Sequence, residues 1–162
     1  NELCSLGLSE QQLADYAARL GSDCAFFIYN RPMFGEGRGE ILSEIDIDLP
    51  CLPIPSCHPA PSCHPERSQG SFDLQVITPA GIAVSTKDAY AGIRPRLPQM
   101  PLREVLARPV EEWDGLLVND FEETVFAKYP ELAAIKRSLY DSGAVYASMS
   151  GSGSALFALY RR

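Results

Sequence analysis

The spacing of polar and apolar residues predicts a short amphipathic helix near the start of the chain. Ser9 to Gln12 has the form of a capping box, in which a serine and a residue three positions later satisfy each other's backbone amides. Leu13, Ala17 and Leu20 then share one helical face, and Gly21 stands where helices end on glycine. We therefore expect a helix between Ser9 and Gly21.

The next two segments have strand-like patterns. Cys24–Tyr29 is continuously apolar and aromatic between polar residues, which favours a buried strand over a second helix. Residues 33–47 predict two strands of a hairpin around the glycine-rich segment 35–40.

Residues 50–71 differ in composition from the rest of the chain, because they are rich in proline and contain a six-residue near-repeat. Proline fixes φ and removes a backbone donor, so we expect no helix or central strand there. Cys57-His58 and Cys63-His64 are ligand types for zinc, but the spacers usual in zinc sites are absent. We predict a metal-free linker or insertion.

The second half of the chain predicts an α+β fold. The sequence indicates one strand, then helices, then two more strands, an order typical of helices packed on one face of an antiparallel sheet. The predicted elements are a strand at 74–78, a helix capped by Ser85 and Thr86 that runs to Gly92, a proline-rich turn, a helix opened by residues 119–123, a helix from Pro130 to Gly143 with Leu132, Ile135 and Leu139 buried, and strands at 145–148 and 155–160.

Composition excludes several classes of function. A net charge of -7 with scattered basic residues argues against nucleic acid as a partner. The chain has no apolar run near the roughly 20 residues that span a bilayer, and no basic segment followed by an apolar core at its start, so we expect no membrane association and a cytoplasmic location. Five cysteines, an odd number, fit reduced thiols.

Candidate chemistry is concentrated in a serine and glycine loop. Residues 149–154 precede an apolar strand, and successive unhindered amides in such a loop form a concavity that binds anions such as phosphate. A plain hairpin turn has the same composition. Asp23, expected to be partly buried at a cleft edge, is either a turn residue or the acidic group of a phosphoryl-transfer site.

Five blocks in order carry a family resemblance: residues 20–27, 36–40, 84–90, 117–122 and 149–154. Together they resemble the 4-diphosphocytidyl-2-C-methyl-D-erythritol kinases of the GHMP kinase superfamily. The resemblance implies ATP-dependent phosphorylation of the 2-hydroxyl of that cytidine diphosphate compound in non-mevalonate isoprenoid biosynthesis, with ATP and Mg²⁺ used by the complete enzyme.

The resemblance also implies roles for individual residues. Asp23 corresponds to the catalytic carboxylate, and Thr86 is a candidate substrate-binding residue that is equally well explained as a helix cap. Gly151, Ser152, Gly153 and Ser154 correspond to the loop near the phosphates. No metal site is expected.

The resemblance is to the C-terminal part of these kinases, since the catalytic lysine and the glycine-rich ATP loop of the family do not occur in the 162 residues. We expect a remnant of the N-terminal domain at 1–50, the insertion at 51–71, and a ferredoxin-like C-terminal domain at 72–162. We expect these 162 residues alone to bind no ATP or Mg²⁺ and to be inactive. The alternatives are another GHMP small-molecule kinase, or a binding module without catalytic activity.

Overall fold

The computed structural model describes residues 5–21, 23–37, 39–45, 47, 72–94 and 96–162. The chain divides into two compact units, Asn1–Asp48 and Leu49–Arg162. The predicted insertion at 51–71, with its two Cys-His pairs, lies outside the described residues.

The first unit contains two helices and a hairpin: α1 (Glu10–Ala18), α2 (Cys24–Tyr29), β1 (Met33–Glu36) and β2 (Ile41–Glu44). The capping box is confirmed, because the Ser9 Oγ accepts the Gln12 amide at 3.2 Å and the Gln12 Oε1 accepts the Ser9 amide at 2.9 Å. Ala14 and Ala17 are buried. Leu20 was expected on the same buried face, but the helix ends before it and 86% of Leu20 is exposed.

The strand predicted at Cys24–Tyr29 is wrong, because these residues form α2. Within this helix Ala25 is buried, whereas Phe26 and Phe27 are exposed. Asn30 ends it in the left-handed conformation at φ 46. The hairpin prediction is confirmed, since β1 and β2 pair antiparallel with Glu36 opposite Ile41.

The second unit has the predicted α+β fold, in which helices pack against a three-stranded antiparallel sheet whose strands lie in the order β3 (Phe72–Ile77), β5 (Leu156–Arg161) and β4 (Tyr146–Met149). Buried residues of three helices, Ala89, Val125, Leu132 and Leu139, pack against Ala147, Met149, Leu156 and Ala158 of the sheet. The elements of this unit are β3 (Phe72–Ile77), α3 (Thr86–Gly92), α4 (Leu102–Leu106), a 3₁₀ helix (Val110–Glu112), α5 (Phe121–Lys128), α6 (Pro130–Asp141), β4 (Tyr146–Met149) and β5 (Leu156–Arg161).

The predicted α6 is confirmed in detail. Pro130 is its first residue, a position that needs no amide donor, and Gly143 follows its end at φ 98. Leu132 and Leu139 are buried and Ile135 packs against the same core. The prediction of a proline-rich turn was incomplete, because this region also contains α4 and the 3₁₀ helix. Each of them begins directly after a proline.

No helix in the described ranges combines the length and the apolar character needed to cross a bilayer.

Candidate functional site

The serine and glycine loop, residues 150–154, joins β4 to β5 at one end of the sheet. Its base is closed by the Ser150 amide, which donates to the Ala155 carbonyl at 2.8 Å. Gly151 and Gly153 have φ values of 55 and 86, a conformation that glycine adopts without strain. These residues therefore allow a tight, sharply turned loop.

Three amides of this loop are available for a ligand. Among the residues that the structure describes, none accepts a hydrogen bond from the amides of Gly151, Ser152 or Ser154. Backbone amides clustered in a turn form a concavity suited to an anion. The loop therefore has the donors that phosphate oxygens require.

Thr86 lies beside this loop. Its Oγ1 is 3.2 Å from the Ser152 Oγ, and the Ser154 Oγ donates to the Ile82 carbonyl at 2.8 Å. The cap of α3 is Ser85, whose Oγ accepts the Asp88 amide at 3.3 Å. Thr86 is thus the first residue of α3, and its hydroxyl faces the loop.

Asn119 binds the loop from the segment before α5. Its Nδ2 donates to the carbonyls of Met149 and Gly151 at 2.7 and 2.8 Å, and its Oδ1 accepts the Phe121 amide at 2.9 Å. The side chain uses both ends of its carboxamide. Asn119 therefore connects the start of α5 to the loop.

Glu122 binds the end of β4, next to the loop. Its carboxylate is buried, with Oε1 accepting the Met149 amide at 2.8 Å and the Ser148 Oγ at 3.2 Å. Lys136 of α6 donates to Oε2 at 2.6 Å, which pairs the charge as a buried carboxylate requires.

The contacts of Asn119 with the loop and of Glu122 with the end of β4 were not predicted from the sequence. The acidic residues after Asn119 were expected only to stabilise the first turn of a helix. The one signal available was the family block at 117–122, which contains both residues.

An exposed ion pair links α3 to α5 near Thr86. Lys128 Nζ is 2.8 Å from Asp88 Oδ2. The hydrogen bond from Lys128 and its charge lower the pKa of Asp88, and the same contact raises the pKa of Lys128. Both groups stay charged at neutral pH, so this side of the loop carries one charge of each sign.

Asp23 belongs to the first unit, directly before α2. Its Oδ1 lies 3.1 Å from the point where a Cβ on Gly39 would stand, so the carboxylate is packed against the turn of the hairpin. The structure thus brings together two of the family blocks, at 20–27 and 36–40. The expectation of partial burial is wrong, because Asp23 is exposed.

Metal-ligand side chains form no cluster in the part of the chain that the structure describes. Within the described ranges, no three His, Cys, Asp or Glu side chains converge closely enough to hold an ion.

Comparison with known proteins agrees with this fold. Residues 103–162 match the family described as GHMP kinases C terminal. The 4-diphosphocytidyl-2-C-methyl-D-erythritol kinase of Bacteroides fragilis is 42% identical over 160 residues, which are 99% of this chain and 51% of that protein. The Bacteroides thetaiotaomicron protein of the same name is 44% identical, again over 99% of this chain and 51% of its own length.

A solved structure is also similar. The crystal structure of a 4-(cytidine 5'-diphospho)-2C-methyl-D-erythritol kinase matches with a TM-score of 0.65 and 25% identity, over 98% of this chain and 50% of that one. The chain thus spans about half the length of the proteins it matches. The predicted resemblance is confirmed: residues 103–162 match the family of GHMP kinase C-terminal domains, and the chain is similar to the 4-diphosphocytidyl-2-C-methyl-D-erythritol kinases over about half of their length.

Proposed function

We propose that the chain forms part of an ATP-dependent kinase that phosphorylates the 2-hydroxyl of 4-diphosphocytidyl-2-C-methyl-D-erythritol, a step of non-mevalonate isoprenoid biosynthesis. The observation that carries the proposal is a loop with three available amides, in a chain whose relatives at 42 to 44% identity are named as this kinase. Small-molecule substrate and ATP would be its partners.

The loop would bind phosphate groups. Phosphoryl transfer depends on positioned donors that stabilise the charge of the phosphate oxygens. The amides of Gly151, Ser152 and Ser154 supply such donors. The Ser152 and Thr86 hydroxyls are hydrogen-bonded to each other, so the pair adds one further donor at the loop's edge. This arrangement supports a phosphate-binding role for residues 151–154 and a substrate-binding role for Thr86.

Asp23 would act on the hydroxyl that is phosphorylated. An exposed carboxylate packed against a glycine turn is open to a substrate and limited in its own movement. It would accept the proton of the 2-hydroxyl as the oxygen attacks the transferred phosphoryl group. ATP supplies that phosphoryl group when bound.

The domain roles follow from the same proposal. Residues 1–50 would complete an N-terminal kinase domain, residues 72–162 would form the C-terminal domain, and 51–71 would be an insertion between them. A cytoplasmic location remains a prediction from the sequence.

A chimeric enzyme tests the proposed activity. In the Bacteroides fragilis kinase, the 160 matched residues are replaced by this chain, and ATP-dependent phosphate transfer to 4-diphosphocytidyl-2-C-methyl-D-erythritol is measured. Activity that falls when Asp23 is changed to Asn is the expected result. The 162 residues by themselves serve as the control and should turn over no substrate.

The same assay separates the alternatives. Transfer to homoserine or mevalonate, with none to the cytidyl substrate, would indicate another GHMP small-molecule kinase. A folded chimera that binds the cytidyl substrate but transfers no phosphate would indicate a binding module without catalytic activity.

A further inference from the structure

Met149, the last residue of β4, has both of its backbone polar groups bound by side chains from one short segment. Its carbonyl accepts from the Asn119 Nδ2 at 2.7 Å, and its amide donates to the Glu122 Oε1 at 2.8 Å. These bonds connect positions 27 to 30 residues apart in sequence. Two side chains three positions apart therefore fix the peptide groups from which the loop departs.

Neither contact is needed for the local structure around α5. The Asn119 Oδ1 already satisfies the Phe121 amide, so the role of a turn residue before the helix uses only the oxygen of the carboxamide. Likewise, the Lys136 ammonium pairs the charge of Glu122 through Oε2 alone. The nitrogen of Asn119 and the Oε1 of Glu122 are the atoms that contact the loop and its base.

The geometry points to a positioning role for Asn119 and Glu122: they hold the loop so that the amides of Gly151, Ser152 and Ser154 face a phosphate. This inference rests on the proposed function of the loop. In this role the two residues fix the conformation of the loop, and the donors to the phosphate belong to the loop itself.

Loss of this support should affect the loop more than the fold. Asn119 also holds the Gly151 carbonyl at 2.8 Å, so the peptide group that carries the Ser152 amide is fixed directly. Without that bond, the flexible glycine at 151 would sample other conformations and the amides would no longer converge.

The test uses the ¹⁵N-labelled 162-residue chain and inorganic pyrophosphate as the probe. Amide signals of the loop are followed in NMR titrations for the wild type and for Asn119→Ser, Asn119→Asp, Glu122→Gln and Glu122→Ala. Serine at 119 keeps an oxygen for the Phe121 amide without adding charge, and glutamine at 122 keeps an acceptor for the Met149 amide.

We expect at least a tenfold weaker pyrophosphate affinity for both Asn119 variants and for Glu122→Ala, with faster loop motion in the free protein. Glu122→Gln should bind pyrophosphate as the wild type does. If Glu122 acted only through its ion pair with Lys136, this variant would instead behave like Glu122→Ala. Asp120→Asn is the matched control, because Asp120 is exposed and makes no cap hydrogen bond. It changes the charge at the neighbouring position and should leave loop motion unchanged.

Loop signals and loop motion that stay the same in Asn119→Ser and Glu122→Ala would overturn the positioning role. If neither the wild-type chain nor the chimeric kinase shows a shift of the loop signals with pyrophosphate, the phosphate-binding function fails. In that case the loop motion of the variants, measured without ligand, still decides whether Asn119 and Glu122 position the loop. Signals from β3 and β5 report in each variant whether the sheet remains folded.

Discussion

Gly153 lies so close to Met149 that a Cβ on the glycine would stand 2.7 Å from the Met149 Sδ. The same atom would be 3.4 Å from the Val84 Cγ2, and the φ of Gly153 is 86. Side chains are excluded here by both contact and backbone conformation. The loop can therefore pack directly onto the end of the sheet.

Gly153→Ala should destabilise the protein more than the same change at Gly151. Both glycines have positive φ, a conformation that costs an alanine about 1–2 kcal/mol. At Gly151 a Cβ would meet nothing within 4 Å, whereas at Gly153 overpacking adds roughly 1–3 kcal/mol. Urea unfolding of the two variants measures the difference, and equal losses would contradict this account.

The centre of the core is Leu132 on α6, which has no exposed surface. Leu132→Ala should lower the free energy of unfolding by about 2–5 kcal/mol, through lost burial and a cavity among the helices and the sheet. Leu97→Ala is the matched control, since 95% of Leu97 is exposed and the change should stay within about 0.5 kcal/mol. Chemical denaturation monitored by circular dichroism compares the two, and similar losses would place the core elsewhere.

The sequence allowed the second unit to be predicted better than the first, for a physical reason. The sequence of α6 contains local signals of a helix: a proline at its first position, a stripe of apolar residues and a glycine after its end. Cys24–Tyr29 has no such signals, because a six-residue apolar run fits a buried strand as well as a short helix. Phe26 and Phe27 are exposed, which contradicts a buried strand. Which side chains are buried depends on tertiary contacts, and a local apolar run does not specify these.

The candidate site shows the same limit. Small residues and a following strand marked the loop, but the contacts of Asn119 and Glu122 with Met149 at its base span about 30 residues and follow no local pattern. The burial of Asp23 was also predicted wrongly, because the flanking apolar run was taken for a buried strand. The local sequence pattern therefore does not predict these long-range hydrogen bonds.

Ionisation of Tyr146 should lower the stability of the folded protein at alkaline pH. Burial raises its pKa to about 12, and its hydroxyl donates to the Leu117 carbonyl at 2.8 Å in a site where only 3% of the residue is exposed. In the unfolded chain, tyrosine ionises near pH 10. The folded state therefore keeps its full advantage below pH 10 and loses it as the pH rises through 12.

The difference between the two pKa values corresponds to roughly 3 kcal/mol for this residue. Tyr146→Phe should cost about 1 kcal/mol at pH 7, because the Leu117 carbonyl loses its donor, but should decline less between pH 10 and 12. Guanidinium unfolding at several pH values measures both slopes. Parallel slopes for wild type and variant would show that Tyr146 does not carry the effect.

The role of Asp23 gives the sharpest kinetic prediction. In the chimeric kinase, Asp23→Asn should lower kcat by about two to four powers of ten with a much smaller change in KM, because a general base acts mainly in the transition state. Asp15→Asn is the matched control, an exposed aspartate of the same unit whose side chain accepts a hydrogen bond from Gln11. Steady-state assays of both variants, with melting temperatures to confirm folding, decide the role. A kcat for Asp23→Asn within a few-fold of wild type would reduce Asp23 to a turn residue before α2.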